Sequence, residues 1–195
     1  MNHPQLSLSV LDVINHRRSV RDYAPEKPDA ATLNRLLAAA VRAPTAMHGE
    51  PWAFLIVQDS AVLKRLSDCA KLELSHEAQH LPEGQASHAR ALIAEPDFNI
   101  FYNAGTLIVI CAQNTGPFVT ADCWLAAQNL LLAACAEGLG TCVIGFALAA
   151  LNTAEVKHEL GIPPEMTAVA PIIVGVPQGE TPTTSRKAPR ILRYL

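Results

Sequence analysis

Aromatic and charged side chains are scarce, at 5% and 17% of the 195 residues. So few rings leave little for bases to stack on. A net charge of −3 and a pI of about 6.1 give neither nucleic acid nor an anionic membrane a reason to bind. The cysteines, Cys69, Cys111, Cys123, Cys135 and Cys142, are odd in number and form no C-x-x-C pair. Three lie in or beside apolar runs, which suits reduced core thiols and not a disulfide framework. A G-x-G-x-x-G dinucleotide fingerprint is missing too. The start, MNHPQLSLSVLDVINHRRS, lacks the basic, continuously apolar and small-residue parts of a signal peptide, so the cytoplasm is the expected location. With no repeat, low-complexity tract or dividing linker, residues 1–195 are expected to form one domain.

What the chain does have is one dominant apolar stretch, Ala121 to Phe146, ADCWLAAQNLLLAACAEGLGTCVIGF. It carries no charge from Cys123 to Ala136, and apolar residues on every face predict a helix buried all round. Sixteen or so residues at ~1.5 Å each reach about 24 Å, short of the roughly 30 Å hydrocarbon core of a bilayer. Gln128 and Asn129 at its middle also favour a soluble core helix. Gly138 is placed to stop it in a left-handed turn. Gly140 and Gly145, lacking a Cβ, would let a flat ligand approach the following backbone.

Before this stretch, Leu8 to Asn15 reads as a short helix with Leu8, Val10, Leu11 and Ile14 as its apolar stripe. It runs into His16-Arg17-Arg18-Ser19-Val20-Arg21. Such a run is either a solvated basic face or an anion site, because guanidinium forks and a hydroxyl together match a phosphate. Asp29 caps a second helix in which Leu33, Leu36, Leu37, Ala40 and Val41 recur at helical spacing. Pro44 ends it. The loop Ala43-Pro44-Thr45-Ala46-Met47-His48-Gly49-Glu50-Pro51-Trp52 follows, then the apolar run Trp52 to Val57, expected to be an internal strand.

Val62, Leu63, Leu66, Cys69 and Ala70 predict another helix. Its polar end reaches Ser75-His76-Glu77-Ala78-Gln79-His80, a match to the H-E-x-x-H pattern of zinc peptidases. Leu81-Pro82-Glu83-Gly84 breaks the helix at once and no third ligand declares itself, so a solvated turn is the preferred reading and a zinc hydrolase a remote alternative. Ala86 to Ala94 and Asp97 to Asn103 read as short helices. Thr106 to Ala112 is a second internal strand, and Thr120 or Asp122 opens the central helix. Asn152 with Glu155 resembles a capping box for a helix stopped by Gly161. Ala168 to Val176 is a third strand, where Pro171 suggests an edge or a bulge. The tail from Pro177 ends in Ile191-Leu192-Arg193-Tyr194-Leu195, as a segment that wraps another surface would.

The order of these parts is distinctive: an arginine-rich N-terminal segment, a Pro-Thr loop ending in Pro-Trp, Gly-Leu-Gly-x-Cys-x-Ile-Gly after a buried helix, a Gly-Val-Pro turn and a basic tail. Over nearly its full length the chain resembles the FMN-dependent nitroreductase family. The resemblance implies an α+β fold, a three-layer sandwich with a central mixed sheet flanked by helices. It also implies an intertwined homodimer, with the tail, about 177–195, wrapping the partner subunit and FMN at the subunit interface. Family members take electrons from NADH or NADPH and pass them in a ping-pong cycle to a small-molecule acceptor such as a nitroaromatic, a quinone or an activated alkene. Flavin binding without general turnover, or specialised flavin cleavage or dehalogenation, is the alternative within the family.

By the same resemblance, Arg17, Ser19 and Arg21, with Arg18 beside them, would grip the phosphate, ribityl chain and pyrimidine end. Pro44, Thr45, Ala46 and His48 would lie against the isoalloxazine from the partner subunit. Ile144 and Gly145 would pass near the flavin, and Arg186 and Lys187 would help hold the phosphate. No catalytic side chain and no metal ligand is implied. Two departures stand out: the family loop, Pro-Ser-x-x-Asn-x-Gln-Pro-Trp, here carries His48 for Asn and Glu50 for Gln, and a usual basic tail position is Ser185.

Overall fold

A computed structural model describes residues 9–77, 83–95, 98–113 and 116–195. Seven helices and four strands are formed by these residues: α1 (Val10–His16), α2 (Ala30–Ala40), β1 (Trp52–Val57), α3 (Ser60–Glu77), α4 (Glu83–Ala94), β2 (Thr106–Ala112), α5 (Val119–Ala136), β3 (Gly140–Val143), α6 (Leu148–Leu151), α7 (Ala154–Leu160) and β4 (Thr167–Gly175).

The sheet order is β1-β2-β4-β3, each neighbouring pair antiparallel. The four strands thus form an antiparallel sheet where a mixed one was expected; outside them, one isolated parallel bridge joins Ser19 to Thr141. β2 explains the layering. All seven of its residues are buried, and with side chains alternating across the sheet, Leu107, Val109 and Cys111 pack with α3, α6 and α7. Ile108, Ile110 and Ala112 pack with α2 and α5 on the other face. Helices, sheet and helices make three layers, an α+β fold.

Local signals account for the element ends. The Asp29 carboxylate accepts from the Thr32 N–H at 2.7 Å, and Gly138 and Gly161 turn the chain after α5 and α7 with φ of 77° and 69°. A capping box between Ser9 and Asp12 opens α1.

Several expectations are corrected. β1 is an edge strand among the described residues, and Ala53 to Ile56 are partly exposed; an apolar run alone does not separate an edge from an interior strand. Pro171 instead lies inside the sheet. Its carbonyl accepts from the Ile144 N–H, so its hydrogen-free nitrogen points past the end of β3, while the ladder shifts register nearby between Ile110 and Cys111. The expected cap Asn152 is displaced by Thr153; Asn152 ties Leu148 and Ala168 together instead. Residues 98–103 form a turn and no helix. In α1 only Val13 is buried, and Val10, Leu11 and Ile14 face outward. α5 has length and composition enough to cross a membrane, yet it is a two-faced core helix. Cys123, Ala126, Ala127, Leu130 and Ala134 are buried, whereas Trp124 and Leu125 are exposed.

Glycines set how the N-terminal segment meets the sheet. A Cβ at Gly140 would lie 2.8 Å from Val20 Cβ, and one at Gly175 would lie 2.7 Å from the Tyr23 ring. Gly140 is therefore filled by the chain's own Val20 and is not open to a ligand. Gly145 is open, with nothing within 4 Å of the corresponding position. Gly140→Ala is expected to lower stability by roughly 1–3 kcal/mol through overpacking, seen as a lower denaturation midpoint, while Gly145→Ala leaves that midpoint unchanged.

Candidate functional site

After α1, capped at Arg17, the chain runs extended against the sheet margin. The Val20 N–H donates to the Thr141 carbonyl and the Ala24 N–H to the Val176 carbonyl, each at 2.9 Å. Tyr23 pairs with Pro177 and donates its hydroxyl to the Val20 carbonyl at 2.7 Å. An extended backbone alternates its side chains. Val20 is buried towards Gly140, which leaves Arg17, Ser19 and Arg21 to the other side. Arg18 is turned back, its guanidinium donating to the Asn15 and Arg17 carbonyls at 2.6 and 2.9 Å.

Two cavities lie along this segment. One, of about 440 Å³, is lined by Arg17, Arg18, Ser19, Arg21, Arg186 and a run of the tail from Thr181 to Thr184. Four arginines among its lining residues, beside hydroxyls, give it a basic, hydrogen-bonding character that suits an anion. The other, of about 570 Å³, is mainly apolar, with Ile100, Tyr102, Val143, Ile144, Gly145 and Phe146 beside Arg21 and Cys142. Arg21 belongs to both, so the cavities adjoin at its side chain.

The electrostatics of the apolar cavity follow from burial. Desolvation pushes the Cys142 thiol upward from its ordinary value, against the opposing influence of Arg21. Cys142 is accordingly a neutral thiol near pH 7, and Arg21 is the charged group among the described residues lining that cavity. Cys111 and Cys123, both buried, are pushed up to about 11 by desolvation. These thiols are poor nucleophiles.

The second candidate segment lies elsewhere in the chain. Pro44, Thr45, Ala46 and His48 line neither cavity. Their loop carries Met47, His48 and Glu50 at φ of 52°, 54° and 41°, a conformation that costs non-glycine residues energy unless the surroundings hold it. Asp122 supplies a hold. Its carboxylate, buried in the first turn of α5, accepts from the Ala46 N–H at 3.3 Å through both oxygens. The Thr45 hydroxyl also accepts from the Glu50 N–H at 3.4 Å. Met47 is 97% exposed at the tip, and His48 and Glu50 are exposed beside it.

Thus Arg17, Arg18, Ser19, Arg21 and Arg186 come together, Ile144 and Gly145 line the adjoining cavity, and Lys187 is exposed outside both. Sequence reasoning missed Ile100, Tyr102, Cys142, Phe146 and the threonines of the tail as lining residues, and Asp122 as the tether. Tyr102 carried no periodic or motif signal; Asp122, a lone acid at the head of an apolar helix, did. His76 is exposed in the last turn of α3, and His80 lies outside the described residues. Among the described residues no cluster of three or more His, Cys, Asp or Glu is placed to hold a metal.

Comparison with known proteins gives a consistent answer. Residues 14–176 match the model of the Nitroreductase family. A protein of Archaeoglobus fulgidus provisionally named NADH dehydrogenase/NAD(P)H nitroreductase is 28% identical over 175 residues, 87% of this chain and 86% of the relative. The iodotyrosine deiodinase of Thermotoga neapolitana is 26% identical over 186 residues, 94% of this chain and 96% of that protein. A crystal structure of a nitroreductase with bound FMN from Desulfitobacterium hafniense superposes with a TM-score of 0.76 at 25% identity, covering 91% of this chain and 94% of that one.

Removing the Asp122 carboxylate should free the strained loop. Asp122→Ala is expected to speed amide hydrogen exchange at Ala46 to Gly49 at least tenfold while exchange in β2 stays slow, as measured by mass spectrometry.

Proposed function

The chain belongs to the nitroreductase family, and we propose that it is an FMN-dependent oxidoreductase drawing electrons from NADH or NADPH. The observation that carries this reading is the pair of cavities joined at Arg21, one basic and one apolar. A flavin mononucleotide has the matching halves, a phosphate at one end of a polar chain and a flat ring system at the other. The residues present fit it. Arg17, Ser19 and Arg186 would take the phosphate end, with Arg18 beside them and Lys187 reaching in from the tail. Arg21 would meet the polar side of the ring, and Ile144 and Gly145 would lie along it, since Gly145 has open space where a Cβ would stand.

When bound, FMN supplies the transfer of two electrons from a nicotinamide donor to an organic acceptor in a ping-pong cycle. The protein's part is to bind, orient and compensate charge. The arginines would offset the phosphate, and the Arg21 cation would compensate charge at the ring end in a cavity otherwise lined by neutral groups. Cys142, whose thiol stays protonated and unreactive, has no acid or base role in this reading. The proposed acceptors are nitroaromatics, quinones and activated alkenes.

A second copy would complete the site. Trp124 and Leu125 on α5 and Val10, Leu11 and Ile14 on α1 are exposed apolar residues of the kind an obligate interface covers. The loop from Pro44 to His48 projects from its own cavities and would lie against the ring held by the partner, with the tail, about 177–195, wrapping across. The single 1–195 domain is proposed as the repeating unit of a soluble, cytoplasmic homodimer. The full-length similarity to an iodotyrosine deiodinase favours one second reading: reductive dehalogenation by the same reduced cofactor. Iodide release from iodotyrosine, measured beside quinone and nitroaromatic reduction, separates the two.

The purified protein is expected to show oxidised-flavin absorbance near one FMN per chain, bleached anaerobically by NADH or NADPH; protein that neither retains nor binds FMN would refute the proposal. Arg17→Ala should weaken FMN binding about tenfold, and riboflavin binding much less, through loss of charge-assisted phosphate contacts. Trp124→Glu should shift sedimentation from dimer to monomer and release FMN with it.

A further inference from the structure

Tyr102 stands in a conformation that its residue type disfavours. Its φ is 51°, and that of the following Asn103 is 56°; two consecutive non-glycine residues in the left-handed region are costly unless the surroundings enforce them. Here they are enforced. Ile100 and Phe101, each 1% exposed, anchor the turn in the core. The Ile100 N–H donates to the Ser67 hydroxyl at 3.0 Å, and the Lys71 ammonium donates to the Phe98 carbonyl at 3.0 Å. The Tyr102 N–H donates to the Asn99 carbonyl at 2.8 Å, and the Ala104 N–H donates to the Phe101 carbonyl at 2.9 Å.

What this strain delivers is the tyrosine ring. It stands edge-on to Phe98, with centroids 5.6 Å apart and planes at 80°. The Arg21 guanidinium carbon lies 5.8 Å from the centre of the Tyr102 ring, within range of a cation–π contact. Arg21 makes no salt bridge among the described residues; the Tyr102 ring and the neighbouring Cys142 thiol are the groups it meets. Arg21 is also the side chain that both cavities share.

From these observations we infer that Tyr102 is a positioning residue: its ring holds the Arg21 guanidinium at the junction of the two cavities, aimed at the ligand's ring end. The inference rests on the flavin reading above. Phe98 packs edge-on against the ring, and the left-handed turn brings it round from the end of the segment preceding β2. A phenyl ring serves this purpose as well as a phenol; an aliphatic side chain does not.

The test is a double-mutant cycle on FMN dissociation constants, from titration of flavin-free protein followed by flavin fluorescence, with thermal midpoints measured alongside. Tyr102→Leu is expected to weaken FMN binding about fivefold, and Tyr102→Phe to stay within twofold of wild type. Arg21→Ala should weaken binding more, and adding Tyr102→Leu to it should have no further effect, because the ring then has nothing to hold. Equal losses from Tyr102→Leu in the presence and absence of Arg21, or a Tyr102→Phe variant as weak as Tyr102→Leu, overturn the inference and leave the flavin reading intact. Wild-type protein that does not bind FMN at all overturns both.

Discussion

The organising constraint is the docking of the extended segment from Ser19 to Ala24 on the margin of the sheet. The Val20 and Ala24 amides bond to the backbone at Thr141 and Val176, and the segment comes close enough to do so because Gly140 and Gly175 yield their side-chain space to Val20 and Tyr23. Once Val20 is committed inward, alternation leaves Arg17, Ser19 and Arg21 facing away from the sheet. The basic cavity is thus a consequence of strand geometry and two missing Cβ atoms. A bulkier residue at either glycine would push the segment off the sheet and the arginines out of register with Ile144 and Gly145.

A second constraint comes from α5. Its inner face is buried against β2, β4 and α2, while its outer face keeps Trp124 and Leu125 exposed. The same helix tethers the strained loop at Ala46 through Asp122. A displacement of α5 would therefore move both its outward apolar face and the loop that carries His48. Coupling an outward apolar face to a loop in this way requires no moving part; one helix touches both.

Much of this was legible in the sequence where one local cause dominates. TLIVICA could only be a strand buried on both faces; Asp29, Gly138 and Gly161 marked helix ends through capping and φ; and three arginines and a serine in one short run singled out a segment that lines a cavity. The order of motifs indicated the family. What escaped were properties decided by the neighbours. Whether WAFLIV is central or an edge depends on which strands flank it. An apolar face on α1 or α5 reads the same whether it meets the chain's own core or is left outward. Thr153 took the cap from Asn152 because Asn152 had a better use, bonding both the N–H and the carbonyl of Ala168. The turn at Tyr102 looked helical because its residues favour no alternative locally; only the burial of Ile100 and Phe101 and the bonds from Ser67 and Lys71 impose it.

The two strained segments repay comparison. Both put consecutive non-glycine residues at positive φ, Met47 and His48 in one and Tyr102 and Asn103 in the other, and both are held by a side chain from a neighbouring helix, Asp122 from α5 or Ser67 from α3. They differ in what lies at the tip. Tyr102 turns inward onto Arg21 and becomes part of a cavity wall, so its strain is offset within one chain. Met47 and His48 turn outward, with Met47 almost wholly exposed, and line neither cavity of their own chain. What the internal bonds from Asp122 and Thr45 hold in place is therefore a tip that faces away from its own chain. The proposed second copy would supply a contact for that tip, since its own Arg21 cavity lacks a wall from the Pro44 to His48 segment.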